Sequence, residues 1–278
     1  MVDLDEYRKA SHENWDRIAV NWESEREFLI SATGVVSERL VEQLDPRPGD
    51  TVLDIAAGTG DTGFLAAARI GDDGRLICTD FAEQMIEAAR RVGAERGLTN
   101  VEYRVLDAEH MDLEDDSIDR VVSRWGYMLM ADPAAALAET RRVLRDDGRF
   151  AFAVWAPPDK NMWAAIPGMT LVQRGHVPPP EPGAPGIFAL GDPDRIRELV
   201  TGAGFDEPEI EQVELAWPYV SAEEHWQLTL KLAGPLAEAI SSLDEDEQEA
   251  IRQEVGSKIS PLIESGGVSG LTHVVTVG

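Results

Sequence analysis

Residues 52–63, VLDIAAGTGDTG, read as a strand that runs into a glycine-rich turn and then into a helix. Gly58, Gly60 and Gly63 give the spacing G-x-G-x-x-G. In that setting the spacing has physical content, because glycines let backbone approach a ligand and a helix N-terminus favours negative charge. Alone it fits a dinucleotide as well as any other adenosine compound. An acid about 20 positions on would hold ribose hydroxyls in either case. Asp80, closing RLICTD, supplies it.

Outward from this turn the chain alternates. TVLDIA, RLICTD, VEYRVL, IDRVVSR and RFAFAVW are short apolar runs rich in β-branched or aromatic residues, and helical patterns separate most of them. Such alternation predicts an α/β fold, a parallel sheet with helices on both faces. The one direct strand-to-strand passage is the loop DAEHMDLEDDS. Asp132–Pro133 and Asp192–Pro193 mark two helix starts, where the aspartate caps free amides and proline needs no N–H.

Three segments lie outside the alternation. Residues 3–44 carry two helical patterns, so 1–44 is expected to form an N-terminal helical cap. The proline-rich GHVPPPEPGAPG, 175–186, is too long for an ordinary connection and reads as a lid or a surface loop. Residues 222–263 carry two apolar stripes and read as a helical insertion forming part of a substrate pocket. The binding core is then 45–221 with 264–278, and LTHVVTVG supplies the last strand.

Composition narrows the partners. The 52 Asp and Glu against 25 Lys and Arg give a formal net charge of -27, so no basic patch exists to meet nucleic acid or an anionic membrane. No run of about 18 apolar residues occurs, and MVDLDEYRKASHENWD is acidic where a signal peptide would be basic and then apolar. A soluble, cytoplasmic protein is expected, with its oligomeric state left open, a homodimer included. The single cysteine, Cys78, excludes an internal disulfide, and the five histidines show no metal spacing.

Further residues separate the possible ligands. Asp54, four residues before Gly58, would repel a pyrophosphate and welcome an ammonium or sulfonium. Asp107 closes the third strand, placed to accept from an adenine amino group. The Y-x-x-x-K pair of short-chain reductases is absent.

The ordered set VLDIAAGTGDTG, CTDFAEQM, VLDAEHMDLEDDSIDRVVSR and LRDDGRFAFAVW resembles the class I S-adenosylmethionine-dependent methyltransferases. Within them the turn and its Asp61 look most like the ubiquinone and menaquinone biosynthesis enzymes and their small-molecule relatives. The resemblance covers roughly residues 35–155. It implies a Rossmann-like seven-stranded sheet with an antiparallel last strand, and S-adenosylmethionine as cofactor. Asp54, Ala56, Gly58 and Gly60 would receive the methionine part, with Ser123 and Arg124 lining the same side. Asp80 would hold the ribose, Phe81 and Met85 would flank the adenine, and Asp107 with Ala108 would bind its amino group. Ala56 departs from a common glycine and Ala82 from a helix-capping serine.

Methyl transfer from a sulfonium is an in-line displacement in which alignment dominates, and a base is needed only if the acceptor must lose a proton. His12, His110 and His176 are candidate bases, with His176 favoured at the opening of the lid. Tyr127 is placed by the family layout to orient an acceptor. Trp22, Trp125, Trp155 and Trp226, with Tyr127, suggest a small apolar or aromatic acceptor methylated on carbon or oxygen. The lack of N-P-P-Y argues, by the same resemblance, against an amide or exocyclic base nitrogen. The competing readings are an NAD-linked reductase and a non-catalytic adenosyl-binding protein.

Overall fold

A computed structural model describes residues 3–181 and 183–278. Two long helices come first, α1 (Leu4–Ser24) and α2 (Arg26–Leu44). The alternating part follows: β1 (Thr51–Ile55), α3 (Asp61–Ile70), β2 (Arg75–Asp80), α4 (Glu83–Glu95), β3 (Val101–Val105), β4 (Ile118–Arg124), α5 (Pro133–Val143) and β5 (Leu144–Trp155). After α6 (Met162–Arg174) and α7 (Pro193–Gly202) come β6 (Glu209–Trp217), α8 (Ala222–Leu232), α9 (Gly234–Ser241), α10 (Glu245–Glu264) and β7 (Val268–Val277).

The seven strands lie in the order β3-β2-β1-β4-β5-β7-β6. All neighbours are parallel except β7, which runs antiparallel to both β5 and β6. Right-handed crossovers carry the chain one way from β1 to β3 and the other way from β4 to β5. Helices α3 and α4 therefore cover one face and α5 the other. The reversal between β1 and β4 leaves a crevice beyond their carboxyl ends, the place where open α/β sheets bind ligands.

Local chemistry agrees with this arrangement. Asp132 accepts from Ala134 N and Ala135 N at the start of α5, and Asp192 accepts from Asp194 N at the start of α7. The inner strands are mostly apolar, as a sheet covered on both faces requires, with Val52, Leu53, Ile77, Val121 and Phe150 fully buried.

The expected N-terminal cap divides in two. Val36, Leu40, Val41 and Leu44 of α2 are fully buried against the sheet, so α2 belongs to a helical layer of the core. Only α1 lies across strand ends. Its Tyr7 hydroxyl donates to Leu129 O, Arg8 reaches Glu109, and Asp16 accepts from Gln84 N at the head of α4. The first apolar stripe of the insertion is likewise broken, since Ala233 separates α8 from α9.

Candidate functional site

Asp54 lies in the middle of the sheet, 1% exposed. Its Oδ2 accepts from Gly63 N at 2.9 Å, so the strand reaches the first turn of α3. Any side chain at Gly63 would put its Cβ 2.5 Å from that same oxygen. The third glycine of the motif thus serves the approach of α3 to Asp54. The other oxygen, Oδ1, is buried with no hydrogen-bond partner, and Ser123 Oγ is in the same condition. Burial pushes the Asp54 carboxyl up to about 8, against smaller opposing pulls from Gly63 N–H and Arg124. In the absence of a cation this acid is largely protonated at neutral pH.

Asp80 ends β2 and is also buried. Its Oδ2 accepts from Gly58 N and its Oδ1 from Ala82 N, both at 3.0 Å. The carboxylate therefore ties the glycine turn to the residue that opens α4, Ala82, whose methyl side chain cannot cap the helix. Burial pushes its carboxyl up to about 6, and the backbone donors hold it below what burial alone would give. Phe81 and Met85 follow on the same ledge, packed with Trp15, Ala19 and Trp22 of α1. The next ledge carries Asp107, half-exposed, with Ala108 buried behind it and Glu109 N donating to Asp107 Oδ1.

The turn after β1 and the loop after β4 meet across the crevice. A Cβ at Gly126 would stand 2.7 Å from both Ala56 Cβ and Ser123 Oγ. Ala56 and Trp125, facing one another in this junction, both have positive φ, 53° and 63°. For a residue as bulky as tryptophan that conformation is an outlier, and such outliers cluster at ligand sites. Asp61, at the head of α3, is gripped by Arg26 of α2 and by Arg96, each at 2.7 Å.

From Trp125 an aromatic wall extends across the end of the sheet, in which Trp125 and Trp163 keep partial exposure while Trp155 and Trp217 are buried. Trp125 stacks on Trp155 with centroids 4.2 Å apart, Trp155 meets Trp163 at 5.0 Å, and Trp163 meets Trp217 at 4.6 Å. Trp217 continues to Tyr219 and Phe28, and Tyr219 meets His225 edge-on. Trp125 Nε1 donates to Thr272 Oγ1, which fixes the ring. Phe28, Trp217, Tyr219 and His225 were not among the sequence candidates. Trp217 ends β6 and Tyr219 stands two residues beyond it, and that alternate spacing is the one sequence signal that marks them.

Two expectations need correction. Tyr127 is wholly buried, packs on Phe150 and Phe152, and shares a 2.5 Å hydrogen bond with Thr140 Oγ1. Burial raises its phenol well above the ordinary value, so it is a core residue and neither orients an acceptor nor exchanges a proton. His176 has its Nε2 2.6 Å from Glu247 Oε1 in an ion-pair cluster of α6 and α10 that also contains Arg174 and Glu254. Its imidazole is engaged there instead of serving as a base. His110 is exposed beside Asp107, while His12 is partly buried beside Asp16 and meets the Phe81 ring edge-on at 5.5 Å.

Trp22 is half-buried and donates to Leu232 O, joining α1 to α8, while Trp226 is buried in the core of the insertion. The proline-rich segment meets the loop after β4 where Gly186 N donates to Met128 O. Among the described residues no helix is long and apolar enough to cross a membrane, and no group of three His, Cys, Asp or Glu could hold a metal ion. A surface depression of about 350 Å³ lined by Asp45, Asp50, Arg120 and Arg149 lies at the opposite end of the sheet. Its acids and arginines, such as Asp50 and Arg120, pair with one another, which suits a structural role.

Against known proteins, the methyltransferase-domain family matches residues 46–164. A nocamycin O-methyltransferase of Saccharothrix syringae is 33% identical over 214 residues, 71% of this chain and 76% of that protein. A ubiquinone/menaquinone biosynthesis C-methyltransferase of Teredinibacter turnerae is 33% identical over 138 residues, and there this chain spans only about half of its relative, 51%. Among solved structures, a phosphoethanolamine N-methyltransferase of Haemonchus contortus in complex with S-adenosyl-L-methionine aligns with all of this chain and 60% of its own, with a TM-score of 0.61 at 16% identity.

Proposed function

Since this chain belongs to the class I S-adenosylmethionine-dependent methyltransferases, we propose that it transfers a methyl group to a carbon or oxygen of a small, flat, largely apolar acceptor. Family membership sets aside the NAD-linked reductase and the non-catalytic readings. The observation that carries the acceptor class is the aromatic wall from Trp125 to Trp217, which begins at the crevice between β1 and β4. Flat rings supply large contact areas to flat partners at little entropic cost.

The residues fit the cofactor. Asp54 Oδ1 is buried without a partner and would gain one from a cationic methionyl group, a contact worth most where water is excluded. Ala56, Gly58, Gly60 and Ser123 would complete that end, with Arg124 beside them. Asp80 would take the ribose hydroxyls, Phe81 and Met85 the adenine faces, and Asp107 with the Ala108 backbone the amino group. When bound, the cofactor supplies an already activated methyl, so the protein's work is alignment and exclusion of water. Helix α1, the lid at 175–186 and the helices α8–α10 would roof the acceptor.

Two of the relatives named above are an O-methyltransferase and a C-methyltransferase, which agrees with keeping both atoms as targets. The test is transfer of radiolabel from S-adenosyl-[methyl-³H]methionine to a panel of phenols, quinols and enolic polyketide-like compounds. Labelled product with at least one flat acceptor is expected. No transfer to any of them, from protein that still binds S-adenosylhomocysteine, would contradict the acceptor class.

A further inference from the structure

Arg124 closes β4 at the reversal of strand order. Its Nη1 donates to Thr33 Oγ1 at 2.9 Å and to Ser37 Oγ at 3.0 Å, both on α2. Thr33 Oγ1 itself donates to Leu29 O, which leaves its lone pairs to the guanidinium. Arg124 Cζ lies 5.0 Å over the Trp125 ring. Two hydroxyls and an indole face thus hold the guanidinium plane in one orientation.

The rest of the group is unused. A guanidinium has five donors in a rigid fork, and among the described residues only Nη1 of Arg124 makes a hydrogen bond. Asp54 and Asp61 act on its charge from a distance, but Asp61 is already taken by Arg26 and Arg96. Burial lowers the pKa of the group, yet its side chain keeps accessible surface. The group is desolvated and still reachable at the carboxyl end of β4, beside Trp125 where the aromatic wall begins.

Of the candidate bases, His176 is held by Glu247, His110 lies exposed beside Asp107, and His12 sits edge-on to Phe81 on the ledge proposed for the adenine. An acceptor can lose its proton without a strong base if the anion is stabilised where it forms.

We propose that Arg124 binds an ionisable hydroxyl of the acceptor, a phenol or enol, as its oxyanion through Nε and Nη2. This rests on the acceptor class argued above. The hydroxyl proton leaves to water. An electron pair of the oxygen, or of the carbon conjugated with it, then forms the bond to the methyl carbon while the C–S bond breaks and its pair stays on sulfur. One contact serves both outcomes, because the negative charge is shared between that oxygen and that carbon. Lysine could not replace the fork, since its compact charge presents no paired donors.

The probe is 4-nitrophenol, whose phenolate absorbs in the visible, added to protein saturated with S-adenosylhomocysteine at one pH unit below the free probe's own pKa. On the wild type the phenolate band should grow as the probe binds. On Arg124→Met it should stay that of the free probe, and Arg124→Lys should restore a fraction. Urea unfolding of Arg124→Met serves as the fold control, and its affinity for S-adenosylhomocysteine, by calorimetry, separates a contact with the acceptor from one with the cofactor.

Equal bands on wild type and Arg124→Met, or no bound phenolate on wild type, would overturn the proposal. So would an affinity for S-adenosylhomocysteine lowered about tenfold or more, which would put Arg124 on the cofactor carboxylate instead. Ionisation of the probe by a protein that methylates nothing in the panel supports the Arg124 site while breaking the acceptor class. Methylation of the panel without ionisation of the probe breaks the Arg124 proposal alone.

Discussion

The crevice between β1 and β4 and the ion-pair surface of α6 and α10 use carboxylates in opposite ways. In the crevice, Asp54 and Asp80 are buried, held by backbone N–H groups, and pushed up to about 8 and about 6. On the surface, Glu247 and Glu249 sit beside arginines and are held down to about 2. The surface acids gain from ionising, in an exposed setting where such pairs are worth little. The crevice acids are held in a state that costs free energy until a cation arrives. In a chain with 52 acids, the two proposed for the ligand are thus held by backbone N–H groups and not by charged side chains.

The sign of the pH dependence follows. For Asp54 the folded value lies above the ordinary 3.8, so the contribution to stability is full below that value and is lost as pH rises through about 8. The unliganded chain should therefore lose stability across this window, and ligand should restore it.

The contrast can be broken most severely at Asp80. Asp80→Ala should weaken S-adenosylhomocysteine binding by about 1.5 to 3 kcal/mol, measured by calorimetry, if its bonds to the ribose are charge-assisted. The paired change Glu247→Gln on the surface should leave that affinity unchanged. Equal effects of the two would erase the distinction. Tyr127→Phe removes a buried hydrogen bond to Thr140 and should cost about 1 kcal/mol of stability in urea unfolding. The turnover number of the folded variant should not move, and a large fall in it would return Tyr127 to the reaction. The smallest effect is expected at Ala56→Gly, which relieves a positive φ and should stabilise the chain by up to about 1 kcal/mol.

Much of this was legible because the strands are written in short β-branched runs. RLICTD and IDRVVSR coincide with β2 and β4, residue for residue. Asp54 and Asp80 were legible as ligand candidates because each closes or interrupts such a run next to the glycine turn. Phe28, Trp217, Tyr219 and His225 were not, because they come from α2, β6, the turn after it and α8, and no sequence period joins residues so far apart. Tyr127 was misread for a related reason. Its position one loop from the crevice is visible in the chain, but the direction of its ring into the Phe150–Phe152 layer is decided by tertiary packing. Ala56 looked neutral until its positive φ showed why a glycine is the easier residue there.

The central claim is that Asp54 waits protonated for the positive charge of the cofactor. Calorimetry of S-adenosylhomocysteine binding at pH 7, in two buffers of different ionisation enthalpy, counts the protons exchanged. Release of nearly one proton per ligand bound is expected, disappearing in a folded Asp54→Asn variant. No release, or the same release from wild type and variant, would contradict it.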